Sequence, residues 1–200
     1  MNVRWADMNP HVEEAYLREI LIQAEYAAIA VQNMNGLVGE SSPVLFFREA
    51  QGFLVHAAAV SRILWPPAKG NAVAVARGEH LRTVLAVAEP THPLRSRKLR
   101  DHHEHFDERL DRWSQETTHG AIIDLHIGPT SIIGGPAVGR GDFLRVYEPD
   151  RKVFTFRGEE FDVQELVTGI EGVKASALQR MNALWAAQHG VAADGASPRR

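Results

Sequence analysis

The chain, 200 residues long, contains no cysteine. That excludes disulfides, thiolate metal ligands and cysteine nucleophiles, and it fits a reducing compartment. Nor is there an apolar run approaching the roughly 18 residues that a membrane-spanning helix needs. The opening stretch, MNVRWADMNPHVEEAYLREI, has acids and a proline where a secretory signal would have a basic start and an apolar core. Together these absences predict a cytoplasmic protein with no membrane partner. Neither sign of charge dominates. The formal net charge is −3, so any basic surface that meets nucleic acid must be local. Internal repeats, HExxH, GxxxxGK[ST] and any nucleophile motif around Ser61, Ser131 or Ser176 are also missing.

What is present is ordinary globular material, 44% hydrophobic and 24% charged. It is enough to bury a core as one domain over residues 1–190, with 191–200 as a flexible tail. From His11 to Met34, Leu17, Ile20, Leu21, Ala24, Ala27, Ala28 and Val31 recur at helical spacing. Asn35-Gly36 ends that helix, and Ser41-Ser42-Pro43 opens a second one running to Trp65, where Pro66-Pro67 stops it. The second helix is apolar around most of its circumference, as the central helix of a bundle would be. A shorter helix is expected over Gly78–Ala88, closed by Pro90 and Pro93, and a charged one over Arg95–Ser114.

After Thr117 the texture changes. The segments AIIDLHIG and TSIIGG cluster β-formers between glycines, and the glycines of IIGGPAVGRGD read as turns. Phe143–Tyr147 and Lys152–Arg157 read as two strands joined by Glu148-Pro149-Asp150, a small antiparallel hairpin insertion within residues 119–158. Helical spacing returns from Phe161 to Gln188, with Leu166, Ile170, Val173, Ala177 and Met181 on the buried stripe. The fold class expected is mainly α: an antiparallel helical bundle with a β-hairpin insertion before the C-terminal helix.

The charged helix, as read, is charged against its own dipole. Arg95, Arg97, Lys98 and Arg100 stand at its start and Asp107, Glu108 and Asp111 nearer its end, although the macrodipole prefers the reverse by about 0.3–1 kcal/mol per charge. Basic residues ahead of acids also give the poorer orientation for pairs four apart. Stability would not select this order. A helix start carrying extra cations does suit a phosphate, because free amide N–H groups and basic side chains converge there.

Within the segment, Arg100-Asp101-His102-His103-Glu104-His105 has an arginine, a polar residue, three variable residues and a histidine. On these residues, and on the order of helices before them, the chain resembles the HEPN superfamily of α-helical domains, many of them ribonucleases. The resemblance covers Pro10–Trp113 and the last helix, and the β segment is an addition to it. It implies a metal-independent endoribonuclease without a cofactor, with Arg100, Asp101 and His105 catalytic. Arg97, Lys98, His102 and Glu104 would then contact the substrate. It further implies a homodimer, because residues five apart point about 140° away from each other on one helix and two motif helices can share a cleft. A toxin or defence role with an antitoxin partner is part of the same implication.

The residues themselves leave alternatives open. Arg97 stands five before His102, so that register competes with Arg100 and His105; Asp101 fits the polar position better than Lys98. Pairs such as Arg97–Asp101, Arg100–Glu104 and Asp101–His105 also suit a merely solvated helix face. His102, His103, His105 and Asp107 could begin a metal site, but a further ligand from His56, His80 or His119 has no recognised spacing. His56, alone on an apolar helix, reads first as a hydrogen-bonded core residue and second, with Arg62, as a cleft residue. A non-catalytic module holding a nucleotide or RNA phosphate is the other functional reading.

Overall fold

The computed structural model describes residues 10–40, 42–67, 71–87, 90–96, 98, 106–117, 120, 122–133 and 138–190. Five helices stand among them: α1 (Pro10–Leu37), α2 (Pro43–Leu64), α3 (Ala72–Val84), α4 (Phe106–Glu116) and α5 (Val163–His189). The mainly helical class is as expected, and no described helix is long and apolar enough to cross a membrane.

α1 and α2 form an antiparallel hairpin that carries most of the core. α1 buries Leu17, Ile20, Ala24, Ala27, Ala30 and Met34, a stripe at three- and four-residue spacing whose alanines admit a neighbouring helix closely. α2 answers with Phe46, Phe47, Phe53, Leu54, Ala57, Val60 and Leu64, as its all-round apolar character requires of a central helix. Two polar ties fix the hairpin's register: Asn33 Nδ2 donates to Glu49 Oε2 at 2.9 Å, and Gln23 Oε1 meets His56 Nδ1 at 2.8 Å. α5 lies along the other side of α1.

α3 begins six residues before the expected start. Asn71 caps it by accepting from the Ala74 amide at 2.9 Å, and Gly78 lies inside the helix rather than at its edge. The glycine serves packing. A Cβ there would come within 2.6 Å of both the Leu64 carbonyl oxygen and Pro66 Cδ, so α2's end crosses α3 where no side chain fits. The helix closes at Val84, short of the expected Ala88.

The insertion is larger than a hairpin. Strands β1 (His126–Ile127), β2 (Arg145–Glu148), β3 (Val153–Phe156) and β4 (Glu159–Asp162) form one sheet in sequence order. β2–β3 and β3–β4 are antiparallel, whereas β1 runs parallel to β2 with His126 opposite Val146. Phe161, expected to open the last helix, belongs to β4 opposite Phe154. The tight turn before it is made by Arg157 and Gly158, with φ of 47° and 77°, a pair of left-handed residues that joins antiparallel strands. Asp162 then caps α5 by accepting from the Glu165 amide at 2.8 Å, and left-handed Gly190 ends the helix with φ of 66°. Aromatic contacts seat the sheet on the bundle: Phe46 lies 4.8 Å from Tyr147 and Phe47 6.0 Å from Phe154, centroid to centroid.

Candidate functional site

The residues expected from the sequence to be reactive stand between Arg95 and Phe106. Arg97, Arg100, Asp101, His102, Glu104 and His105 all lie outside the described residues, as do His103 and His119. Lys98 is described, helical and exposed. The expected helix does not begin at Arg95. Pro93–Arg95 is a turn of 3-10 helix, and Ser96 after it is off the helical conformation, with ψ of 123°. In α4 as described, Asp107 and Glu108 occupy the first turn, the end where a carboxylate is favoured. The acidic half of the segment therefore follows the dipole rather than opposing it.

Both flanks of the segment are pinned. On one side Leu94 is fully buried, Trp65 of α2 lies 5.1 Å from His92, and the backbone of α5 comes close. A Cβ at Gly169 would stand 2.7 Å from Pro93 Cγ, so glycine is what allows that approach. Burial lowers the pKa of His92, keeping its ring neutral in this packed position. On the other side Trp113 Nε1 of α4 donates to Asp142 Oδ1 at 3.3 Å. Asp142 is itself buried, and its second oxygen accepts from the Gly139 amide at 2.8 Å.

A different cluster of ionisable groups is fully in view. Glu13, 5% exposed, occupies the first turn of α1 on the buried stripe. Its carboxylate accepts from Arg180 of α5 at 2.5 and 3.2 Å and meets His80 Nε2 of α3 at 2.9 Å. Burial pushes its pKa up, but the hydrogen bonds and charges of Arg180 and His80 outweigh this and hold it below the ordinary value. The cations nearby are committed to structure: Arg180 to Glu13, Arg77 to the Arg62 and Ile63 carbonyls, and Arg82 to the Leu64 carbonyl. The cluster acts as a clamp on α1, α3 and α5. The sequence held one sign of it, a glutamate four residues before Leu17 on an otherwise apolar stripe.

His56 is the hydrogen-bonded, half-buried histidine that its surroundings suggest. Its Nδ1 is engaged by Gln23, the Tyr26 ring stands 5.2 Å away, and burial lowers its pKa. Among the described residues no group of three or more histidines and carboxylates is placed to hold a metal ion. No family model, curated protein or solved structure matches the chain.

Proposed function

We propose that this chain is a HEPN-like, metal-independent endoribonuclease whose reactive groups are Arg100, Asp101 and His105. The observation that carries the reading is the pinning of the segment's flanks, by buried Leu94 against α2 and α5 and by Trp113 on Asp142. Loops and helix ends that hold reactive groups need such rigid support. The order of helices around it, two long ones and a short one before and a long one after, also suits the family that the motif resembles.

In this reading neutral His105 takes the proton from an RNA 2′-hydroxyl. The 2′-oxygen forms a bond to the adjacent phosphorus as the bond to the 5′-oxygen breaks. That oxygen leaves with a proton from an imidazolium in a cleft shared by two copies. Arg100 holds the phosphate through its forked donors, and Asp101, four residues before His105, sets the ring's tautomer. The products are a cyclic phosphate and a free 5′-hydroxyl.

Purified protein incubated with RNA in a chelator should yield cyclic-phosphate ends and should leave DNA intact. His105→Ala should lower the cleavage rate by about 100-fold or more while RNA is still bound. Arg100→Ala should weaken both binding and cleavage. If His102→Ala abolishes cleavage and His105→Ala does not, the register Arg97/His102 replaces this one. Wild-type protein that binds RNA without cutting it would leave a nucleic-acid-binding module instead.

A further inference from the structure

Beyond the contact of Lys174 Nζ with Glu25 Oε2 at 2.6 Å, α1 and α5 enclose a groove. It consists of two adjoining cavities, of about 290 and 320 Å³, which share Val31, Asn35 and Val167 as lining. The first is apolar in its walls, formed by the alanines of α1 (Ala24, Ala27, Ala28), Phe53 of α2 and Ile170 of α5. The second ends at the β2–β3 turn and is lined there by Tyr147, Pro149 and Lys152. From Ala24 to Val38 the groove follows α1 for roughly 21 Å at the helical rise.

The two ends differ in charge and in polar supply. At the first, Glu171 lines the wall and Lys174 is already neutralised by Glu25. At the second, Lys152 Nζ meets, among the described residues, a neutral acceptor, Gln164 Oε1 at 2.9 Å. Beside it, Tyr147 is only 6% exposed, yet its hydroxyl has no hydrogen-bond partner among the described residues. Its oxygen opens to the groove, where solvent reaches it. Burial raises its pKa, so it stays protonated and can donate at neutral pH. The Asn35 side chain on the same wall is exposed and has no partner among the described residues. One end thus offers a cation and an unused donor beside an apolar channel, and the far end carries acids.

We propose that this groove binds a linear amphipathic carboxylate, with its head at Lys152 and Tyr147 and its chain along Val31, Val167 and Ala28. The reverse orientation is disfavoured, because Glu171 at the far end would repel the head. None of its lining residues belongs to the Arg95–Phe106 segment, and the inference does not depend on the ribonuclease reading.

Calorimetric titration of the full chain with dodecanoate, below its micellar concentration, should show saturable binding at one site. Dodecanol, with the same chain and no charge, should bind at least about tenfold more weakly, and acetate should give no signal. Tyr147→Phe and Lys152→Gln should each weaken dodecanoate about tenfold and leave dodecanol unchanged. Ala28→Phe, at an exposed position on the wall, should block both ligands. Should that variant melt early, nitroxide-labelled dodecanoate on the wild type should broaden the Val31 and Val167 methyl signals. The proposal is overturned by the absence of saturable binding, by affinity indifferent to both head-group variants, or by broadening confined to other methyls.

Discussion

At the scale of single residues, Glu13 and Ser61 are the two polar side chains whose burial carries consequences. Glu13 is held ionised by Arg180 and His80, with its folded pKa below the ordinary value near 4.5. A depressed carboxylate contributes stability that is fully present above the unfolded pKa and lost as pH falls through the folded one. Glu13→Gln should therefore cost about 2 kcal/mol at neutral pH, since it leaves Arg180 without its counter-charge. The gap between variant and wild type in urea melts should close on acidification below the carboxylate range. A gap that stays constant with pH would argue against the clamp. Ser61 is the converse case, fully buried with its hydroxyl unpartnered among the described residues. Ser61→Ala removes an unsatisfied group from the core and should raise stability by up to about 1 kcal/mol, read as a higher melting temperature. Beyond the place of Glu13 on an apolar stripe, neither residue's state was legible beforehand. A glutamate in the first turn looks like a partner for the helix dipole, and a serine in a helix like a solvated one, until the neighbouring helices are in place.

At the scale of elements, the end of α2 shows how one helix completes another. Its last carbonyls, on Arg62, Ile63 and Leu64, accept from Arg77 and Arg82 of α3 rather than from water. Arg82 also lies over the Trp65 ring at 5.9 Å, and Arg77 over Tyr16 of α1 at 5.1 Å. Cations at a helix C-terminus oppose its dipole, so Arg82→Ala should lose about 1–2 kcal/mol in chemical denaturation. A loss no larger than that of an exposed arginine such as Arg18→Ala would show the cap to be incidental. The start of α3 marks where local rules fail. Glycine ordinarily ends helices, and Gly78 sits mid-helix because the α2 terminus presses on it. The Arg157-Gly158 turn was missed for a related reason, because a left-handed arginine carries no signature of its own. The charged segment was legible as a distinct stretch, but its helical start was set too early, since proline and burial hold Pro93–Arg95 in a tighter turn.

At the scale of the whole molecule, sheet and bundle share one core. Leu144, Tyr147, Phe154, Phe156 and Phe161 are contiguous with the buried residues of α1, α2 and α5. Truncating a strand residue should therefore weaken the helices too. Phe154→Ala should cost about 3–5 kcal/mol and lower hydrogen-exchange protection in α2 as well as in β2 and β3. Protection lost from the strands alone would mean that the sheet opens independently. By itself the sequence determined α1, α2 and the breaks around them. Apolar spacing, caps and prolines act over a few residues, and the stripe of α1 or the stop at Pro66 can be read wherever it occurs. It also marked out Arg95–Phe106 as the segment that carries a chemical motif. Only the tertiary structure decided the parallel pairing of β1 with β2, the burial of Glu13 between three helices, and the groove from Ala24 to Tyr147. Each joins residues far apart in the chain, and the free energy of such a contact depends on what meets there, which no local pattern records.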